Sequence, residues 1–144
     1  MIVEVKRSGM LGSNLSRMRE RVTRRVEAGL LHAGLFVMTE SVKQCPDDTG
    51  YLQETARITI FNPGDPRFGD VVQVGYGGYD FPSQVRYSPH EERLVERTPS
   101  EYAVIVHEDA SKAHPDGNHD FLRNVTVGMQ SEIIAEFMVG AGVR

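Results

Sequence analysis

Seven side chains able to bind metal or carry protons fall within fourteen residues: His107, Glu108, Asp109, His114, Asp116, His119 and Asp120. Imidazole and carboxylate suit zinc or another divalent ion. His107, His114 and His119 could therefore serve a small metal-dependent hydrolase. The spacing makes no helical HExxH pair, however, and half of the set falls in a polar stretch with nothing to fix ligand geometry. A polar loop whose His and Asp side chains bond locally is the simpler reading, and no metal is expected. Cys45 stands directly before Pro46 with no partner motif, and no serine sits in a GxSxG elbow. A lone Cys in that place reads as a small buried hydrophobe. Gly75, Gly77 and Gly78 form no GxGxxG and open no helix, so they cradle no phosphate. The adjacent carboxylates Asp47-Asp48 and Glu91-Glu92 lie in polar segments that place neither pair in a cleft. No catalytic residue and no cofactor are expected.

The other chemical feature is a run of arginines: Arg17, Arg19, Arg21, Arg24 and Arg25. They could contact nucleic-acid phosphates as a DNA-binding accessory. They could equally form a solvated helix face paired with Glu20 and Glu27. A net charge of −4 disfavours whole-domain binding to DNA. The charge is unevenly spread. Residues 1–43 hold eight Lys/Arg against four Asp/Glu, and residues 44–144 hold eight against sixteen. That polarity suits a subunit that meets copies of itself, basic face to acidic face, or two independently solvated surfaces.

The elements that must position these residues follow from periodicity. Ile2–Lys6 alternates weakly and reads as an edge strand or an N-terminal arm over residues 1–10. From Leu11, apolar residues recur at Leu15, Met18, Val22, Val26, Gly29 or Leu30, Ala33 and Val37, which predicts a long amphipathic helix over 11–43. Ser13 or Asn14 is the expected N-cap, and Pro46 stops the helix. At about 45 Å it is longer than a 144-residue domain needs for its own core. Glu54–Asn62 and Asp70–Tyr76 alternate with β-branched residues and predict an antiparallel hairpin closed by a proline-punctuated turn. Residues 79–99 read as a long projecting loop. Glu101–His107 is either a short helix capped by Ser100 or a strand, and a final helix runs from Asp120 to about Met138. The expected fold class is α+β in a single domain over residues 1–144, with long N-terminal and C-terminal helices packed on a small antiparallel sheet.

Hydrophobic residues make up 40% and charged residues 25% of the chain, ordinary values for a soluble domain that folds without staples. One cysteine cannot form an internal disulfide, which points to a reducing compartment. No stretch approaches the ~20 apolar residues of a membrane span, and the first ten residues lack the apolar core of a signal peptide.

Several short segments, taken in order, carry a family resemblance. Cys45-Pro46-Asp47-Asp48-Thr49-Gly50-Tyr51-Leu52 follows the long helix and precedes a strand. Val74-Gly75-Tyr76-Gly77-Gly78, then Tyr102-Ala103-Val104-Ile105-Val106-His107-Glu108, then His114-Pro115-Asp116-Gly117 and Phe121-Leu122 come after it. Together, over roughly residues 20–135, they resemble the tailed-phage neck and tail-completion family, which includes head-tail joining and minor capsid proteins. The resemblance implies a non-enzymatic virion subunit without cofactor, located at the head-tail interface and in the host cytoplasm during assembly. It implies a homo-oligomeric ring of six or twelve copies around the channel through which DNA passes. The chain's own implied role is neck, tail-terminator or tail-completion protein, and its other implied partners are neck, portal-adaptor or tail proteins, with no membrane. The motif residues carry structural roles in this reading: a helix-to-strand corner at Pro46, Asp48, Thr49, Gly50 and Leu52, an apolar face from Tyr102, Ala103 and Val106, and a seat for the final helix at Phe121 and Leu122. Helix 11–43 and loop 79–99 are the expected contact surfaces, through Arg17, Arg21, Arg24, Arg25, Phe81, Tyr87 and Leu94.

Overall fold

A computed structural model describes residues 9–46, 51–62, 69–77, 84–88, 93–108 and 119–143. Helix α1 spans Gly9–Gln44, 36 residues, or ~54 Å at 1.5 Å per residue. Ser13 and Asn14 lie inside it and are not its N-cap. No proline interrupts residues 9–12, and Met10 and Leu11 favour helix, so the helix extends upstream of both. At the other end Pro46 acts as expected. The Cys45 N–H still reaches the Ser41 carbonyl at 2.9 Å, and the helix stops there. Residues 1–8, part of the expected arm, and 47–50, the centre of the expected corner, lie outside the described residues.

The chain resumes as a single helical turn, α2 (Tyr51–Glu54), where the alternation predicts the start of a strand. Thr55 causes the difference. Its backbone N–H and its hydroxyl both reach the Leu52 carbonyl, at 3.1 and 2.8 Å, and close the turn. Strand β1 then runs Arg57–Phe61 and pairs antiparallel with β2 (Val71–Gly75), in register from Arg57↔Gly75 to Phe61↔Val71. This is the expected hairpin; its proline-rich turn at residues 63–68 lies outside the described residues. The sheet rests on α1 at Gly34, where an added Cβ would lie 2.5 Å from Val72 Cγ2 and 3.5 Å from Ile58 Cγ2.

Residues 79–99 are not simply a loop. They contain a second antiparallel hairpin, β3 (Gln84–Ser88) with β4 (Arg93–Arg97), in register from Gln84↔Arg97 to Ser88↔Arg93. Val85 and Tyr87 alternate with polar residues over five positions, and the flanking prolines mask so short a signal. Helix α3 (Pro99–Glu108) settles the helix-or-strand alternative for 101–107. Its cap is Thr98 and not Ser100. The Thr98 N–H donates to Glu101 Oε2 at 2.9 Å, and the Glu101 N–H reaches Thr98 Oγ1 at 3.4 Å. This is the reciprocal T-x-x-E capping box, with Pro99 at the first helical position.

The expected last helix is two segments, α4 (Phe121–Gly128) and α5 (Gln130–Gly140), separated at Met129, whose backbone leaves helical geometry (φ −121°, ψ 35°). Bonds from Met129 N–H to Val125 O and from Ile133 N–H to Met129 O carry the i→i−4 pattern across the break. The pair runs antiparallel to α1. Their contact includes a mutual glycine approach. A Cβ on Gly29 would stand 2.8 Å from the Phe137 carbonyl oxygen, and one on Gly140 would stand 2.7 Å from the Ala28 carbonyl oxygen. Beyond Gly140 the helix closes on itself. Val143 N–H bonds Met138 O (2.9 Å), Gly142 N–H bonds Val139 O (3.0 Å), and Gly142 takes φ +65°. That is a Schellman cap, which satisfies the orphan carbonyls and needs glycine at the left-handed residue. The fold is α+β, mostly helical, with small antiparallel two-stranded sheets. Among the described residues no helix is long and apolar enough to cross a membrane.

Candidate interaction site

Because α5 terminates level with Ala28, α1 outruns the described elements packed against it. Every residue from 12 to 27 is exposed. The apolar stripe does not stop where the packing does. Gly29, Ala33 and Val37 are buried, and on the same helical face the preceding steps are Leu15 (65% exposed), Met18 (66%), Val22 (57%) and Val26 (37%). Fully burying a Val, Leu or Met side chain contributes roughly 1.5–3 kcal/mol, so this overhang holds several kcal/mol of burial that one copy leaves unused. A helical segment of about sixteen residues without tertiary support is marginal in water. The Arg24–Glu20 pair on its surface adds only a few tenths of a kcal/mol.

The arginines lie mostly off the stripe, with Arg17, Arg21 and Arg24 on the opposite side of the helix. Arg17, Arg21, Arg24 and Arg25 are all exposed on the overhang, and 12–27 holds five Arg against two Glu. Among the described residues Val127 (63%), Ile134 (62%), Met138 (39%) and Val139 (64%) of α4–α5 are also exposed. Periodicity assigns Leu122, Val125, Met129, Ile133 and Phe137 to the core and gives no role to these four. The available signal is that α5 carries apolar residues on more than one side, which a helix packed on one face does not need.

Most of the described motif residues meet elsewhere, where α1 ends. Cys45, Leu52, Val106 and Phe121 form one buried cluster, with Tyr76, Ala103 and Leu122 packed against it. The Phe121 ring takes Tyr76 and His107 edge-on, each with centroids 5.0 Å apart. Thr55, fully buried, accepts from the Gly77 N–H at 3.0 Å. Gly77 has φ 79°, which a side chain would strain. Ser41 Oγ and Tyr76 OH lie 2.6 Å apart and tie α1 to the end of β2. Burial pushes the Tyr76 phenol up to about 12; the hydrogen bond with Ser41 opposes the rise and the nearby Cys45 thiol adds to it. Pro46 is buried beside this cluster and Gly75 ends β2. Tyr102 and Glu108 lie in α3, and Tyr87 pairs across the second hairpin with Leu94.

Asp48, Thr49, Gly50, Gly78, Phe81, His114, Pro115 and Gly117 lie outside the described residues. Of the three histidines weighed for metal, His107 and His119 flank Asp120, with His107 Nδ1–Asp120 Oδ1 at 3.6 Å and His119 Nε2–Asp120 Oδ2 at 4.0 Å. Asp120 stands in the left-handed region (φ 55°), held by its N–H on the His107 carbonyl at 2.8 Å. No group of three or more His, Cys, Asp or Glu among the described residues is placed to hold a metal ion. The motif residues thus build a corner where α1, the first sheet, α3 and α4 join. Compared with protein-family models, curated proteins and solved structures, the chain matches none.

Proposed function

We propose that this chain is a non-catalytic structural subunit of a tailed-phage head-tail connector, a neck, terminator or tail-completion protein that assembles with copies of itself as a ring. The observation that supports the assembly is the α1 overhang, a ~24 Å length of helix with an apolar stripe that is exposed over residues 12–27 and that no other described element covers. The phage assignment rests on the ordered motif segments, many of which gather at one junction, as a shared structural corner requires. The mechanism is association, with DNA passing through the ring unread.

The test is genetic and visual. Particles assembled without this chain should yield DNA-filled heads and free tails, and the labelled chain should image at the neck of intact virions. Fully infectious particles lacking it would end this reading. The exposed arginines favour one second reading, a DNA-binding accessory; it predicts duplex binding at low salt, where phosphate contacts are strongest.

A further inference from the structure

We infer that a small cavity on the outward face of the first hairpin binds an oxyanion, with Arg57 as its charged ligand and Thr59 and Gln73 as further hydrogen-bond donors. The inference is independent of the assembly proposed above, since no residue of the overhang takes part.

The hairpin register builds the cavity. Ile58 and Val72 turn toward α1 at Gly34, so the alternate residues lie on the face away from it. There Arg57 stands opposite Gly75, and Thr59 stands opposite Gln73. Gly75 has no side chain to fill its half of the first pair, and an added Cβ would meet nothing within 4 Å. The space left open is about 140 Å³, lined by Arg57, Thr59, Gln73, Gly75 and Tyr76. At ~30 Å³ per water it has room for roughly four or five waters, the size of a phosphate or a small carboxylate and well below that of a drug-sized ligand.

The lining selects the charge of the occupant. Arg57 brings a full positive charge and a planar fork of donors that matches carboxylate and phosphate. The Thr59 hydroxyl and the Gln73 amide can each donate as well. No carboxylate lines the cavity, and Tyr76 supplies only wall, because its hydroxyl is bonded with Ser41. Among the described residues Arg57 has no ion-pair partner, not even Glu54 three positions before it. Yet residues 44–144 hold sixteen Asp/Glu against eight Lys/Arg. An arginine left unanswered among so many acids, beside an open space lined by donors, fits a small anion.

The test is equilibrium dialysis of the full chain against radiolabelled inorganic phosphate, with ionic strength held constant by sodium chloride. Binding should saturate near one phosphate per chain. Arg57→Gln should weaken it about tenfold or more, the usual loss when a charged hydrogen-bond partner is removed. Gly75→Val should weaken it as much, because the new side chain fills the cavity while Arg57 keeps its charge. Gly75 lies in a strand and outside the left-handed region, so valine suits its backbone, and circular dichroism would check the fold. Arg19→Gln removes an exposed arginine of the overhang and should change nothing. Unlabelled acetate that displaces the phosphate extends the site to carboxylates; acetate without effect restricts it to phosphate. Binding that never saturates, that survives Gly75→Val unchanged, or that falls as far with Arg19→Gln would reduce Arg57 to a screened surface charge and overturn the inference. None of these results bears on the ring subunit, which the particle experiment decides.

Discussion

Two glycines in helical segments, alike in the sequence, should respond to alanine with opposite signs. Gly29 lies mid-way along α1 and Gly128 at the end of α4, both with negative φ. Alanine gains about 0.8–1 kcal/mol over glycine from backbone entropy in a helix interior. At Gly128 nothing lies within 4 Å of an added Cβ, so Gly128→Ala should keep most of that gain, about 0.4–1 kcal/mol. At Gly29 the new methyl would meet the Phe137 ring and the Phe137 carbonyl oxygen at 2.8 Å, whereas ordinary contact begins near 3.4 Å. The ring can turn; the carbonyl cannot without moving α5 by about 0.6 Å along the seam. Overpacking a well-fitted contact costs about 1–3 kcal/mol, and a backbone obstacle argues for the upper part of that range. The clash outweighs the entropy gain, leaving Gly29→Ala less stable by about 1–2 kcal/mol. At roughly 4 °C per kcal/mol for a chain of this size, its melting temperature should fall by about 4–8 °C while that of Gly128→Ala rises. Protomer concentration must be fixed, because association shifts apparent stability. If both variants are stabilised alike, α1 and α5 do not cross in backbone contact and the account of the overhang falls with it.

Other expectations follow from the junction. Thr55→Val preserves shape but strips the acceptor from the Gly77 N–H in a fully buried place, and should cost about 1–3 kcal/mol in urea unfolding; a neutral result would mean that N–H has another partner. The Tyr76 phenol is neutral in the fold up to about 12, against an ordinary 10.0. Between pH 10 and 12 the unfolded chain therefore loses a proton that the folded chain keeps. Stability attributable to Tyr76 is whole below pH 10 and declines as pH rises toward 12. Tyr76→Phe should flatten that part of the stability–pH curve, and an unchanged slope would assign the decline elsewhere.

The helices were legible because their apolar residues step by three and four over many turns, and the first hairpin because Ile58, Ile60, Val72 and Val74 alternate. What escaped was decided over four or five residues. The Thr98-Pro99-Ser100-Glu101 box is a complete capping signature, yet Ser100 sits one position inside the helix that Thr98 caps. The turn at α2 depends on one hydroxyl, that of Thr55, competing for a carbonyl. The break at Met129 has only Gly128 to announce it. For the candidate site, the surplus length of α1 was readable before any fold was known, since a stripe continuing through Leu15 exceeds the needs of one core. The exposure of Ile134 and Met138 was not. Ile134 and Met138 differ from Ile133 and Phe137 only in which side of α5 meets α1, and that choice is made by the glycine crossing at Gly29 and Gly140.

The junction core also sets an order of folding. Cys45 and Phe121 are in one cluster though more than seventy residues separate them, whereas α1 is built from contacts four residues apart. Local helix forms in about a microsecond; closing so long a loop comes later. Until that loop closes, α4 and α5 are not held against α1, neither at Phe121 nor along the Gly29–Gly140 seam. A newly made chain therefore passes through a state in which the whole stripe from Leu15 to Val37 is bare, including the stretch that α5 later hides. Such a surface is an aggregation hazard of the kind chaperones handle. Accumulation of the folded chain is thus limited by how fast its last two helices fold back over its first.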